Sequence, residues 1–497
     1  MKLEFMTEQT VSLKTVLRET RTAEETAEAV IPERCADLED ILFVSGLPFL
    51  RGKELTEGKL SVSAGVSATA LVQPQEGGAP EPVEAYLPFV IRLEDSRLEP
   101  GMESEITLTL GRVDGHMVNP RKILLRAAIT AEITVWSQEQ ENHITEAAQK
   151  DICMLKKESA TRCLRCRGEK QYTLEDTVGI TPEGTMEKLA MCQVQLRHTD
   201  VNLTGTRAVW KGEAELKFTY LDPEGKCQSG SAALPFSQYA DLGDCQENDE
   251  LRLDTCLTGA EVEPSGDGRS LQVTLQLLTC AQVWARQERF YVADLYSLKG
   301  QAEPEYQQRT YESLLDRQYF SATGQGSARG DVQRVIYAEC CCGQGTYERS
   351  GELVSVQVPV TTQLLWEDPE GVLHGEKIRS KLEASTRASE QCRLKVRAQG
   401  LGTVAAAGLE GPEAKITGTL ELDSYLTERY QEVVGAQLSQ EQTEDAGPGI
   451  VIRHIRPGES LWDAAKAGRT TEAAILAANG LEPGAEPQGM LLIPREG

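Results

Sequence analysis

The residues best suited to chemistry in this chain are its cysteines. Cys163 and Cys166 form a Cys-x-x-Cys pair, and Cys192 and His198 follow downstream, so these four side chains could supply zinc ligands. No second close pair follows, and arginines flank the first pair on both sides. Because arginine beside a thiol lowers its pKa, an oxidisable pair is an equal alternative to a metal site. We expect neither a bound metal nor a cofactor.

A run of three cysteines, Cys340-Cys341-Cys342, follows an apolar segment at 335–337. If this segment is a strand, alternation places Cys340 and Cys342 on one face and Cys341 on the other. Buried, inert thiols are the simpler interpretation. The alternative hypothesis is that exposed thiols cross-link the protein within an assembly.

Signatures of catalysis are missing from the sequence. The five histidines are scattered and include no HExxH pair. There is no GxxxxGK[ST] phosphate loop, no GxSxG elbow and no GxGxxG motif after a strand. Carboxylates are abundant, but abundance does not identify a glycosidase pair. We therefore predict that the protein is not an enzyme.

The charge balance and the N-terminus limit where the protein works. The 497-residue chain has a formal net charge of −26, which disfavours a nucleic-acid groove because phosphates are neutralised by clustered Lys and Arg. Positions 1–21 lack the apolar core of a secretory signal, and no run of about 18 apolar residues is available for a transmembrane segment. We expect a cytoplasmic protein whose 13 cysteines are mostly reduced.

A long-period repeat organises the first 430 residues. An alternating apolar segment occurs at 60–72, 208–220 and 354–366, and the ends of these segments are 148 and 146 residues apart. Alternation over seven positions predicts strands with one face on a core. A turn, Asp222-Pro223-Glu224-Gly225, follows the second segment, and the same four residues recur at 368–371. Short strands between Gly and Pro turns are typical of antiparallel sandwiches.

These patterns predict a mainly β protein with tandem domains. We expect three related antiparallel β-sandwich-like domains, a flexible acidic linker and a small α/β unit at the C-terminus. The polar stretches between the domains are interpreted as connectors or short helices. The expected boundaries are an N-terminal segment at 1–26, β domains at 27–140, 173–290 and 319–428, connectors at 141–172 and 291–318, the linker at 429–449 and the C-terminal unit at 450–497.

The C-terminal unit has a pattern of its own. Val451 to Ile455 reads as a strand, Ser460 as the N-cap of a first helix and Thr470 or Thr471 as the cap of a second. Asn479-Gly480 is a typical helix end, and positions 490–493 form a closing strand. The predicted order is therefore strand–helix–helix–strand.

The residues of this unit resemble a LysM domain. The matching segments are Pro457-Gly458-Glu459-Ser460-Leu461-Trp462, then 475–481 (ILAANGL), then 489–494 (GMLLIP). The resemblance implies binding of N-acetylglucosamine-containing glycans in a shallow groove between two loops. The implied groove residues are Gly458, Glu459, Ser460, Leu461, Trp462, Asn479, Gly480, Leu481, Pro487 and Gly489.

Several of these residues have a simpler interpretation. Leu461, Ile475, Leu476 and Leu481 are expected to be core, and Trp462 either packs on the fold or serves as an anchor for a partner. Gly468 stands where many LysM relatives carry an aromatic residue, and this departure weakens the expectation of sugar binding.

The repeats resemble the domain shared by spore-coat assembly proteins, often called SPOCS. The resemblance rests on the alternating strand, on the turn at 222–225, and on Pro235-Phe236, which recurs as Pro88-Phe89. Such repeats ahead of a LysM unit resemble the SipL/SpoVID family of coat morphogenetic proteins. This family resemblance implies a non-enzymatic adaptor at the forespore surface in the mother cell. Its LysM unit would dock on a SpoIVA-like basement-layer ATPase, alongside other coat proteins. The alternative is a protein that binds peptidoglycan or its precursors through the LysM unit.

Overall fold

Antiparallel β-structure dominates the chain. The computed structural model describes residues 2–33, 35–75, 78–243, 245–439, 449–456, 458–484 and 489–494. About 76% is strand and 4% helix, arranged in several antiparallel sheets, which confirms the mainly β prediction. Within the described ranges, neither helix has the length and apolar character needed to cross a membrane.

The strands fall into three consecutive sets. The first set is β1 (Phe5–Val30), β2 (Leu38–Thr56), β3 (Lys59–Pro74), β4 (Glu81–Glu94), β5 (Glu103–Asn119) and β6 (Lys122–Ala147). The second set is β7 (Ile152–Gly179), β8 (Lys188–Thr204), β9 (Arg207–Leu221), β10 (Cys227–Asp241), β11 (Glu250–Pro264) and β12 (Ser270–Ser297). The third set is β13 (Gln301–Ser327), β14 (Arg334–Cys342), β15 (Thr346–Ser350), β16 (Leu353–Glu367), β17 (Leu373–Arg387), β18 (Arg393–Ala407) and β19 (Pro412–Ser439).

The same sheet order recurs in each set. One sheet has the order β1-β6-β5, and it recurs as β7-β12-β11 and β13-β19-β18. The other sheet has the order β2-β3-β4, and it recurs as β8-β9-β10. In the third set β14 and β15 pair with successive lengths of β16, whose other edge pairs with β17. The long period of the sequence is thus matched by a threefold recurrence of topology.

The alternating segments lie where the sequence places them. They are the central strands β3, β9 and β16, and their inward side chains from Leu60 to Val72, from Ala208 to Tyr220 and from Val354 to Trp366 are buried. Full burial of one Val or Leu side chain stabilises a fold by roughly 1.5–3 kcal/mol, so these rows account for much of the core. The predicted strand pattern is confirmed.

The turns after two of these strands are also as predicted. The Asp222 side chain accepts hydrogen bonds from the backbone N–H groups of Glu224 and Lys226, and Gly225 has a φ of 77°. Asp368 and Gly371 repeat this arrangement, with a φ of 82° at the glycine. Glycine is needed at these positions because other residues rarely adopt this backbone region.

The predicted connectors are wrong. Residues 141–147 continue β6, and 152–172 belong to β7, so the stretch at 141–172 is strand on both sides of a short turn. The stretch at 291–318 is likewise the end of β12 and the start of β13. Residues 5–26 of the N-terminal segment lie in β1, and residues 429–439 of the predicted linker lie in β19. Positions 440–448 lie outside the described residues.

Equivalent residues of the three sets meet in one cluster. Trp136, Trp284 and Tyr425 stand at matching positions of β6, β12 and β19, and each faces a bulge in the neighbouring long strand. Together with Leu164 and Leu314 they form one buried cluster. The sets therefore surround a common pseudo-threefold axis.

Arginine–aromatic contacts link the sets in a cycle. Arg167 of the second set lies 5.6 Å from the centroid of the Trp136 ring in the first set. Arg317 of the third set lies 5.9 Å from the Trp284 centroid in the second set, and Arg18 of the first lies 4.1 Å from the Tyr425 centroid in the third. Such contacts contribute about 0.5–2 kcal/mol each, more when desolvated.

Charged side chains are buried beside this cluster. Arg317 Nε donates to Asp423 Oδ1 at 2.6 Å, and Arg397 Nε donates to Glu132 Oε2 at 2.6 Å. Arg252 Nη1 lies 3.0 Å from Glu421 Oε1. Arg397 of β18 and Arg252 of β11 thus pair with β6 and β19, the long strands of neighbouring sets, whereas Arg317 and Asp423 pair within the third set. The mutual neutralisation of these charges offsets the cost of taking them out of water.

Candidate functional site

The C-terminal unit contains two strands and two helices. They are β20 (Ile450–His454), α1 (Leu461–Gly468), α2 (Glu472–Asn479) and β21 (Met490–Pro494), and β20 pairs antiparallel with β21. The predicted strand–helix–helix–strand order is confirmed.

Both helices begin at predicted caps, and the second ends where the sequence predicts. Ser460 Oγ accepts a hydrogen bond from the Asp463 N–H at 3.1 Å, and the Asp463 carboxylate accepts one from the Ser460 N–H at 3.0 Å, which forms a capping box. Thr471, one of the two predicted alternatives, caps α2 through the Ala474 N–H at 3.1 Å. Gly480 ends α2 with a φ of 64°. A cap of this kind stabilises a helix by about 1 kcal/mol.

The core of the unit is small and tight. It contains Ile455, Ala464, Ala465, Ile475, Leu491 and Ile493. A Cβ at Gly468 would lie 2.5 Å from Ile493 Cγ2, so glycine at this position lets α1 approach β21 closely. Ile475 is buried as expected, and Leu461 and Leu481 are half-buried against the same core.

The predicted groove residues divide by exposure. The backbone positions Gly458, Ser460, Gly480 and Gly489 are exposed. The side chains of Glu459, Leu461, Asn479 and Leu481 are half-buried. Pro487 lies outside the described residues. Two described loops thus present an open surface at 458–461 and 479–481.

Besides Ser460, two more of the groove side chains have hydrogen-bond partners within the C-terminal unit. Asn479 donates to the carbonyls of Ile475 and Leu492, at 2.8 and 2.7 Å, and accepts from the Leu492 N–H at 2.8 Å. Glu459 accepts from Arg453 Nη2 at 2.6 Å and from the Arg456 N–H at 3.0 Å. These hydrogen bonds hold the two loops in shape.

Trp462 faces the body of the protein. It is only 6% exposed, and its ring meets Tyr296 of β12 edge-on with the centroids 4.8 Å apart. Trp462 Nε1 donates to Asp294 Oδ2 at 2.8 Å, and Lys466 Nζ lies 2.7 Å from the same oxygen. The sequence leaves open whether Trp462 packs on the fold or anchors a partner. In the structure it packs within the chain.

The docking residues on β12 had no signal in the sequence. The Tyr296 hydroxyl donates to the Thr470 carbonyl at 2.6 Å, and the Tyr306 hydroxyl donates to Asp294 at 2.9 Å. Burial alone would raise the pKa of Asp294, but hydrogen bonds from Lys466, Trp462 and Tyr306 outweigh it and lower that pKa. Asp294 therefore stays ionised and holds the unit against β12.

Cys163 of the Cys-x-x-Cys pair does not have the lowered pKa that its neighbouring arginines predict. Burial raises the pKa of Cys163 despite the nearby arginines, so the expectation of a lowered pKa is wrong for this thiol. Its sulfur lies 3.2 Å from Gln287 Oε1. His198 instead contacts Thr255 at 3.0 Å, and burial raises the pKa of Cys192 to about 12. Over the described ranges, no three or more His, Cys, Asp or Glu side chains are grouped as metal ligands.

The three consecutive cysteines are divided between two cores. Cys342 belongs to the core of the third set and Cys340 packs against it, whereas Cys341 packs against the core of the first set. Burial raises the pKa of all three, that of Cys342 to about 11. The predicted alternation of faces is confirmed, and the raised pKa values disfavour thiolate chemistry.

Comparison with known proteins identifies no relative of this chain. No protein family, no curated protein and no solved structure matches it. The open loops of the C-terminal unit are therefore the observation from which a function is inferred.

Proposed function

We propose that the protein is a non-enzymatic, multivalent adaptor in the assembly of a spore coat. In this proposal the three strand sets are related SPOCS-like β domains, and the C-terminal unit is a LysM-like module that docks on a coat morphogenetic partner such as a SpoIVA-like ATPase. The observation that carries the proposal is the orientation of the C-terminal unit. Its Trp462 face is held by β12, and its loops at 458–461 and 479–481 are left open.

The exposed loops favour a protein partner over a sugar. Gly458, Gly480 and Gly489 have φ values of 84°, 64° and 72° and expose backbone to an incoming chain. The aromatic side chain of the predicted groove, Trp462, is buried, so it offers no ring face for a sugar to stack on. Glu482 and Asp463 are exposed nearby, and the chain has a net charge of −26, which favours a partner with a basic surface.

The three strand sets would make the protein multivalent. Three sets with the same strand order present related surfaces on one chain, and the C-terminal unit adds a different one. Joining several weak contacts in one molecule raises apparent affinity by roughly 10²-fold or more when the geometry permits simultaneous binding. An adaptor of this kind would work in the mother-cell cytoplasm at the forespore surface.

A glycan-binding function is the second candidate. Gly480 and Gly489 are exposed in the region where the resemblance places a glycan such as peptidoglycan or its precursors. The Gly480 N–H already donates to the Ala477 carbonyl and the Gly489 carbonyl accepts from the Ile455 N–H, so an acetamido group would use the other backbone groups of these loops. Both candidates use the same loops, so a single pair of variants tests them together.

The test compares two substitutions on α2 in the full-length protein. Ala478 is exposed beside the 479–481 loop, and Ala473 is exposed at the opposite end of the same helix. We expect Ala478→Arg to reduce capture of a purified SpoIVA-like ATPase at least tenfold and Ala473→Arg to leave it unchanged. Equal capture by both variants would refute the proposal, and capture of purified peptidoglycan instead of the ATPase would establish the second candidate.

A further inference from the structure

A cavity of about 380 Å³ lies between the three strand sets, next to the cluster of Trp136 and Trp284. Its walls include residues of β1, β6, β7, β12, β13 and β19. A volume of this size accommodates a small organic molecule. The cavity is separate from the C-terminal unit and has no part in the proposed docking.

One wall of the cavity carries a buried arginine that pairs with no carboxylate among the described residues. Arg289 is 4% exposed. Its Nη2 donates to the neutral Gln287 Oε1 at 2.6 Å, and its guanidinium lies 4.3 Å from the centroid of the Tyr311 ring. Its Nε and Nη1 are buried, and neither has a hydrogen-bond partner within the described part of the chain. A buried cation in this state carries a desolvation cost that an anion would offset.

A second unpartnered polar group lines the same cavity. Thr161 is 1% exposed, and its Oγ1 has no hydrogen-bond partner among the described residues. A hydroxyl and two guanidinium N–H groups are donors suited to the oxygens of a carboxylate or a phosphate. Two side chains in the lining of one cavity, Arg289 and Thr161, therefore have buried polar atoms that lack hydrogen-bond partners among the described residues.

The cavity lining carries more cationic than acidic side chains, although two of its cations, Lys14 and Arg97, pair with carboxylates outside it, Glu139 at 3.0 Å and Asp95 at 2.7 Å. The lining contains five cationic side chains and two carboxylates; the cations are Lys14, Arg18, Arg97, Arg289 and Arg393, and the carboxylates are Glu19 and Glu312. Glu312 is shared by Arg393, at 2.6 Å, and Arg18, at 3.3 Å. Glu141, at the hydroxyl end of the Tyr311 ring, already pairs with Arg309 at 3.3 Å.

We propose that this cavity binds a small oxyanion, a carboxylate or a phosphate, with Arg289 as its main donor and Thr161 as a second. The aromatic walls formed by Trp136, Trp284 and Tyr311 would receive the body of an organic carboxylate. Because residues of all three sets line the cavity, the bound anion would also stabilise their arrangement around the axis.

The test is thermal unfolding of the full-length protein at constant ionic strength. Sodium chloride is replaced stepwise by sodium phosphate in one series and by sodium benzoate in another. We expect a saturable rise in Tm with at least one of them, on the order of a few degrees at a hundredfold excess over Kd. The series that saturates at lower concentration identifies the class of ligand.

Arg289→Met should abolish the saturable rise. Arg286→Met is the matched control, because Arg286 lies on the same strand with an exposed side chain that pairs with Glu288 at 3.5 Å; it should keep the full rise. If Arg289→Met does not fold, Thr161→Val serves instead and should shift saturation to at least several-fold higher concentration. The proposal is overturned if the wild-type Tm shows no saturable rise when either phosphate or benzoate replaces chloride. It is also overturned if the saturable rise is undiminished in the Arg289 or Thr161 variant.

Discussion

Trp462 Nε1 and Asp294 Oδ2 are joined by a hydrogen bond of 2.8 Å between residues 168 positions apart in the chain. Lys466 and Tyr306 bind the same carboxylate, so Asp294 receives donors from α1 and from β13. This single side chain is the polar centre of the contact between the C-terminal unit and the body.

We expect Asp294→Ala to release the C-terminal unit from β12. Its charge-assisted hydrogen bonds contribute about 1.5–3 kcal/mol each, and the substitution removes them together. Limited proteolysis should then cut the C-terminal unit, positions 450–494, at least severalfold faster than in the wild-type protein. Glu303→Ala, at an exposed position of β13, is the control and should leave the rate unchanged. Equal cleavage of all three proteins would contradict this role of Asp294.

A second prediction concerns the pH dependence of stability. Glu339 accepts hydrogen bonds from Ser45 Oγ at 2.8 Å and from Gln193 Nε2 at 2.6 Å, and these three residues stand at equivalent positions of the three sets. Burial raises the pKa of Glu339 from 4.5 to about 8 despite these bonds. Since the folded pKa is the higher one, the stability from the protonated acid is complete below about pH 4.5 and is lost as the pH rises towards 8.

The free energy of unfolding should therefore fall across this window, by up to about 1.4 kcal/mol per pH unit from this group. Glu339→Gln should remove that contribution and make the protein more stable than wild type at pH values above the folded pKa. Urea unfolding at a series of pH values measures the difference. Glu348→Gln, at an exposed position, is the control. Parallel pH profiles for wild type and Glu339→Gln would show that this carboxyl is already ionised in the folded protein.

A third prediction concerns the contact between the first and third sets. A Cβ at Gly375 in β17 would lie 1.5 Å from the Leu42 carbonyl oxygen in β2, so the two backbones touch. Gly375→Ala should lower the free energy of unfolding by about 1–3 kcal/mol, because the added methyl group forces the two backbones apart. Gly52→Ala is the matched control, since its Cβ would meet no atom within 4 Å. Urea unfolding of both variants measures the difference. An equal loss of unfolding free energy in both variants would argue against the backbone contact between Gly375 and Leu42.

A fourth prediction concerns the thiols of Cys340, Cys341 and Cys342. Because burial raises their pKa values, few thiolates are present at neutral pH, and alkylation of the native protein should be slow. Peptide mapping by mass spectrometry after iodoacetamide should find these three unmodified in the native protein and modified in urea. Rapid native labelling would support the hypothesis that they cross-link an assembly.

The sequence predicts the central strands and the helix caps well, because these depend on local patterns. The rows from Leu60 to Val72 and from Val354 to Trp366 alternate strictly, and one face of each is buried. Ser460 and Gly480 are residue types that end helices through contacts within one turn. Such features need no knowledge of distant residues.

The extensions of the long strands beyond Trp136, Trp284 and Tyr425 are not predicted, because several of their buried residues are polar. Glu141, His143 and Glu432 are buried, yet a hydrophobic pattern assigns such residues to the surface. His143 Nδ1 lies 2.7 Å from Glu432 Oε1, a partner 289 residues away, so the pairing that buries them is invisible locally. The docking of Trp462 on Asp294 was missed for the same reason.

The arginine–aromatic cycle limits how the protein can assemble into larger structures. Arg167 joins the second set to the first, and Arg317 joins the third set to the second. Arg18 of the first set contacts Tyr425 of the third, so the cycle is closed. A repeated head-to-tail contact that does not close into a ring propagates into a filament. Here the contact closes within one chain, so no copy of it remains available to bind another molecule. The polypeptide is in effect a trimer fixed within one chain, and any larger lattice must be built from its outer surfaces.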